Sequence, residues 1–173
     1  MRAAYLRHLE ARPLLVKSIT SFFVLGTGDA LTQSVLESKA LALLDWRRSL
    51  RFAVLGLTLV GPSLHIWYGV LNSRLPGSSA RAVATRVALD QLIFAPLFLS
   101  GFLTVVAKVE HKPFSLQNEM PSVLAQNWLI WVPVQLVNFS LVPPHLQVLF
   151  NNMVSVGWNA ALSWQMHRKK TMS

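Results

Sequence analysis

The chain has no cysteine. That excludes a disulfide framework, thiol catalysis and thiolate metal sites. Charge is scarce as well: charged residues make up 13% of the 173 positions, against roughly 25% in a soluble globular protein. Only seven side chains are acidic, and no two of them have an obvious general acid and base arrangement. The histidines His8, His65, His111, His145 and His167 lack ligand spacing, so no metal site is expected. Gly26-Thr27-Gly28-Asp29 has two glycines but neither a phosphate-binding lysine nor the dinucleotide pattern, and it reads as close helix packing. With no catalytic constellation, the sequence points away from an enzyme, and no cofactor is expected.

What the chain has in abundance is apolar surface, at 53% of residues. A soluble chain this short has too much surface per volume to hide it, and a bilayer is the natural solvent for the excess. Five apolar segments approach the ~20 residues that a spanning helix needs: Leu14 to Leu36, Phe52 to Leu71, Val83 to Val106, Val123 to Val142 and Leu146 to Met166. The expected fold is an all-α integral membrane bundle of four to five hydrophobic helices around a polar centre. It forms a single membrane domain over 1–173, with a basic N-terminal segment at 1–13 and a basic tail at 167–173. Polar connectors are expected over Glu37 to Arg51, Asn72 to Arg81 and Lys108 to Pro121, with a tight break at Pro143-Pro144. The distribution of Lys and Arg leans toward four full spans by the positive-inside rule.

The formal charge of +9 belongs mainly to the edges of these runs: Arg12 and Lys17; Arg47, Arg48 and Arg51; Arg81 and Arg86; Arg168, Lys169 and Lys170. Such flanking cations meet lipid headgroups. Direct nucleic-acid binding is not expected, because the six Trp lie within or beside the spans rather than on a basic face. Arg2, Arg7, Arg12 and Lys17, with Glu10 alone between them, faintly resemble a mitochondrial targeting stretch, and an uncleaved, internally targeted protein is the preferred reading.

Each apolar run carries a polar stripe at helical spacing. The first has Ser18, Ser21, Gly28, Asp29, Thr32 and Gln33; the second Thr58, Gly61, His65, Tyr68 and Asn72; the third Arg86, Asp90 and Gln91. Asn127, Trp131, Gln135 and Asn138 line the fourth, and Gln147, Asn151, Ser155, Asn159 and Ser163 the last. These stripes must face one another or water, because an unpaired polar group in hydrocarbon costs several kcal/mol. They serve either as interhelical glue or as the lining of a hydrated path. Asp29 and Asp90 weigh toward a path or a pair, since an intramembrane carboxylate costs at least ~2.5 kcal/mol. Arg86, one turn from Asp90, is its expected counter-ion, and Lys17 can reach inward from the membrane edge. Pro62, Pro96 and Pro133 are expected to kink their helices.

These motifs occur in an order that identifies a family. They are Gly28-Asp29-x-x-x-Gln33, Gly61-Pro62-x-x-His65-x-Trp67-Tyr68-x-x-Leu71, Pro76-Gly77, Asp90-Gln91-x-x-x-x-Pro96 and Asn127-Trp128-x-x-Trp131. Gln135-x-x-Asn138-Phe139, Val142-Pro143 and Trp158-Asn159-x-x-Leu162-Ser163-Trp164 follow. The chain resembles the Mpv-seventeen family, which includes the twenty-two-kilodalton peroxisomal membrane protein, over nearly its whole length. The stretch from Trp164 to Lys169 is most similar to the mitochondrial inner-membrane branch. The chain departs from the family at Gln147, where an arginine is usual, and in a short loop from Lys108 to Gln126.

The resemblance implies a channel for small solutes or ions in an organelle membrane, the mitochondrial inner membrane or alternatively the peroxisomal one. It also implies a link to mitochondrial DNA maintenance and deoxynucleotide supply. Asp29, Gln33, His65, Asp90, Gln91, Trp131, Gln135, Asn138, Asn151 and Asn159 are the expected pore-lining residues, with Trp131 a candidate constriction. The expected partners are the lipid bilayer and small solutes or ions, with room for a homo-oligomer. The rival reading is a non-conducting membrane organiser or assembly factor that uses its polar stripes for helix contacts.

Overall fold

The computed structural model describes residues 2–37, 40–109 and 115–157. Among them there are helices and turns but no strand. A short helix α1 (Arg2–Ala11) leads into α2 (Pro13–Leu31), with Pro13 in the first turn, where its missing N–H costs nothing. After a 3-10 turn at Leu41–Leu43 comes α3 (Trp46–Leu55), capped by the Asp45 side chain, which accepts from the Arg48 N–H at 2.9 Å. Helices α4 (Gly61–Arg74), α5 (Ala80–Leu89), α6 (Ala95–Val109) and α7 (Leu116–Leu141) follow. A final helix, α8, is described over 147–157.

Three five-residue π-helical turns interrupt this series: Thr32–Leu36 after α2, Gly56–Val60 between α3 and α4, and Asp90–Phe94 between α5 and α6. The last two precede prolines that the sequence marks as kinks. Pro62 and Pro96 have no N–H to give the carbonyl four residues back. Immediately before them the bonding lengthens by one residue: the Gly61 N–H bonds the Gly56 carbonyl and the Ala95 N–H bonds that of Asp90. Both a π turn and a proline are recognised causes of helix bending. Pro133 lies inside α7 without such a turn.

With these turns included, three helices among the described residues are long and apolar enough to cross a membrane: Pro13–Ser34, Trp46–Arg74 and Ala80–Val109. The fourth expected segment falls within α7, whose 26 residues would extend about 39 Å at 1.5 Å per residue. The fifth runs beyond the described residues. Two boundaries differ from expectation. The second span begins at Trp46 rather than Phe52, because Asp45 supplies a cap and the arginines that follow are good helix formers. Likewise α7 starts at Leu116, inside what reads as a loop, and passes through Pro121.

The described chain divides into two compact units. One comprises the residues through Ile66 together with the helix from Val148; the other is Trp67–Gln147. In the first unit α2 packs along α3 and its π turn. The approach is close. A Cβ on Gly56 would collide with the Ser21 carbonyl, and one on Gly61 would lie 2.7 Å from the Ser18 Cα. The close-packing reading of the Gly26 region holds too, since a Cβ on Gly26 would sit 2.9 Å from that of Ala53. In the second unit α5 and α6 pack on α7.

The arrangement of polarity is the reverse of a soluble protein's. The largest fully buried side chains are Tyr68, Gln33, Gln147, Val148, Asn138, Asn152 and Ser21, while Phe23, Ile66, Leu97, Leu129 and Leu141 are all more than 60% exposed. Lipid is the solvent that such an exterior suits.

Candidate functional site

Each unit holds a buried carboxylate with its own hydrogen-bonded partners. In the first unit Asp29, on α2, is buried. Its Oδ1 accepts from the Arg48 Nε at 2.8 Å, and its Oδ2 accepts from the Ser49 hydroxyl at 2.7 Å and the Gln33 Nε2 at 2.8 Å. A second arm of Arg48 pairs with Glu37 at 2.7 Å. Gln33 also grips the start of α3: its Oε1 accepts from the Asp45 N–H at 2.7 Å and its Nε2 donates to the Asp45 carbonyl at 3.1 Å. Outside the span, the Arg48 N–H donated to Asp45 holds that carboxyl below the usual range.

Two further polar contacts lie in the same unit. Lys17, buried despite its charge, places its Nζ 3.3 Å from the Nδ1 of half-buried His65. With Lys17 as an ammonium, the imidazole accepts at Nδ1 and carries its proton on Nε2. Asn152, on α8, donates to the Ser21 hydroxyl at 2.7 Å. Its neighbour Asn151 is also buried.

In the second unit Asp90 opens the π turn Asp90–Phe94 and is buried. Its Oδ1 accepts from the Trp67 indole at 2.8 Å and its Oδ2 from the Gln91 amide at 2.7 Å. Gln135, on α7, donates to the Tyr68 hydroxyl at 2.7 Å and accepts from Asn138 at 2.9 Å. Gln91 is held from α7 by Asn127, at 3.1 Å, and by the Trp128 indole, which donates to its carbonyl at 2.9 Å. Trp67 stacks on Phe94, with ring centres 5.0 Å apart.

The expected pairing of Arg86 with Asp90 does not form. Arg86 turns toward the N-terminal end of its helix, as helical side chains do. It donates to the Gly77 carbonyl and, at 2.8 Å, to the Asn72 Oδ1, and its guanidinium lies 5.5 Å from the centre of the Phe139 ring. Asp90 is therefore held by neutral donors, with no cation bonded to it among the described residues. Gln147, where the family resemblance leads one to expect arginine, is buried at the other side of Asn72: its Oε1 accepts from that amide at 2.8 Å.

Of the expected lining residues, Asp29 bonds Gln33 in the first unit, and in the second Asp90 bonds Gln91 and Gln135 bonds Asn138. His65 pairs with Lys17. Trp131 is half-buried on α7 and makes no side-chain hydrogen bond among the described residues. Asn159 lies outside the described residues. The polar stripes did not single out Arg48 and Ser49 as partners of Asp29, nor Trp67 and Trp128 as partners of the Asp90 region. Arg48 reads as one of three interchangeable edge cations, although Ser49 beside it is the kind of small polar residue that marks an inward face. No cluster of His, Cys, Asp or Glu suited to a metal occurs among the described residues.

Long apolar helices with exposed aliphatic faces and buried polar networks define an all-helical integral membrane protein. Residues 109–163 match the Mpv17 / PMP22 family. Over 168 residues the chain is 38% identical to Protein sym-1 of Neurospora crassa, covering 95% of this chain and 98% of that one. It is 36% identical over 170 residues to the mitochondrial inner membrane protein Mpv17 of Homo sapiens, covering 95% and 97%. With PXMP2/4 family protein 2 of Dictyostelium discoideum it shares 36% identity over 168 residues, covering 92% of this chain and 87% of that one. No solved structure matches. The chain belongs to the Mpv17 / PMP22 family and is a protein of the mitochondrial inner membrane.

Proposed function

We propose that the chain is a non-enzymatic, weakly selective conduit for small solutes or ions across the inner membrane, and that the described form is its closed state. The observation that carries this reading is the inverted polarity. Gln33, Gln91, Gln135, Asn138, Gln147, Asn151 and Asn152 are all buried, so large amides lie inside, besides the small Gly, Ala, Ser and Thr that let helix backbones approach. Such amides are groups that water can wet once the hydrogen bonds that hold them within each unit open. Four to five spans enclosing this polar centre, with Trp131 as constriction and Asn159 extending the lining, complete the arrangement. Carboxylates at Asp29 and Asp90 would draw cations and repel anions along the path. A conduit of this kind is compatible with the deoxynucleotide-supply and mitochondrial DNA maintenance link that the family resemblance implies.

One observation favours the rival reading of a non-conducting organiser: both oxygens of Asp29 and of Asp90 are already satisfied within their own units. Single-channel recording of the purified protein in planar bilayers separates the two. Channel activity with cation-to-anion permeability lowered in Asp29→Ala and Asp90→Ala supports the conduit. Unchanged selectivity removes those carboxylates from the path. A silent protein that co-purifies with large complexes establishes the organiser.

A further inference from the structure

The three arginines at the start of α3 look equivalent in the sequence and are not equivalent in space. Arg48 turns inward to Asp29 and Glu37. Arg47 and Arg51, one helical turn apart, share a different face from buried Ser49 and Ala53. Arg47 is exposed and its guanidinium bonds to nothing described. Arg51 is 41% exposed in its side chain and has one distant ionic neighbour, the Asp45 Oδ2 at 3.8 Å. Its Nε–H has no hydrogen-bond partner among the described residues. An unsatisfied donor on a cation is costly, and the exposed part of the guanidinium side chain is where an acceptor from outside can approach.

The surroundings identify that molecule. Trp46 (60%) and Leu50 (57%), on the same helix, and Leu41 (71%) and Leu43 (72%), in the turn that precedes it, are exposed. The patch opens the helix Trp46–Arg74, which is long and apolar enough to span the membrane. At such an edge apolar side chains enter the acyl region while guanidiniums stay at the headgroups. A guanidinium fork matches phosphate oxygens. Asp45, the nearest acid, is engaged as the cap of α3 and leaves the Arg51 Nε free. We propose that Arg47 and Arg51, framed by Trp46 and Leu50, form a binding site for the headgroup phosphate of an anionic phospholipid. The exposed leucines favour a lipid over free phosphate, because a free ion has no use for them. This site stands whether or not the protein conducts.

The test is native mass spectrometry of the purified full-length chain with phosphatidylglycerol, with phosphatidylcholine and with inorganic phosphate. The wild type is expected to retain phosphatidylglycerol over phosphatidylcholine. Each of Arg47→Gln and Arg51→Gln should weaken retention about fivefold, the equivalent of ~1 kcal/mol per basic residue near an anionic surface. Arg51→Lys keeps the charge but loses the Nε–H, so partial loss is expected. Arg81→Gln, an exposed arginine at another helix start, should leave retention unchanged. Equal retention by the Arg47→Gln/Arg51→Gln double variant, an equal loss in Arg81→Gln, or full displacement by inorganic phosphate would overturn the proposal. Thermal unfolding in detergent confirms that each variant is folded.

Discussion

At the scale of single residues, the chain buries charge only where neighbouring atoms solvate it. Asp29 is met by a guanidinium, a hydroxyl and an amide, and Asp90 by an amide and an indole. Lys17 has the leanest arrangement, with one bond to His65. Removing one partner of a buried polar pair costs more than removing both, because the survivor keeps its desolvation penalty. His65→Ala is therefore expected to lower stability in detergent by about 1–3 kcal/mol. Lys17→Met added to it should recover most of that loss, as read by thermal unfolding. If the double variant is no more stable than His65→Ala alone, the Lys17–His65 contact carries no such weight.

At the scale of elements, close helix approach and helix irregularity both trace to small and imino residues. Gly56 lets α2 and the second span meet backbone to backbone, whereas a methyl group added at Gly69, on the same long helix, would meet nothing within 4 Å. Gly56→Ala is expected to cost about 2 kcal/mol by forcing the helices apart. Gly69→Ala should be neutral or slightly stabilising, since alanine is the better helix former. Thermal midpoints of the two variants check this, and equal shifts would contradict it. Such contacts were partly legible in the sequence. Gly28-Asp29-x-x-x-Gln33 and the Asp90-Gln91 pair lie on the inward faces that period-3.6 spacing assigns. The π turns were not legible, because they change the angular register of the residues that follow them without changing their spacing. The N-terminal lean of helical side chains is why Arg86 reaches Gly77 and Asn72 and not the carboxylate one turn on. Partners distant in sequence, such as Arg48 for Asp29, depend on which helices meet, and no local pattern encodes that.

At the scale of the whole molecule, the described helices expose aliphatic side chains, and most of their buried polar side chains bond to one another. Composition and striping sufficed to foresee this, because lipid reverses the usual sorting of side chains. The function rests on whether those buried amides become wet. The absence of cysteine makes the chain its own background for single-cysteine substitution. Asn138 is wholly buried on α7, and Leu129, on the same helix, is 78% exposed. The most direct measurement is the response of single-channel current to a water-soluble methanethiosulfonate reagent in Asn138→Cys and Leu129→Cys proteins. The account predicts that the reagent reduces current through Asn138→Cys and leaves Leu129→Cys unaffected. Current that persists unblocked in Asn138→Cys, or falls equally in both, would contradict it.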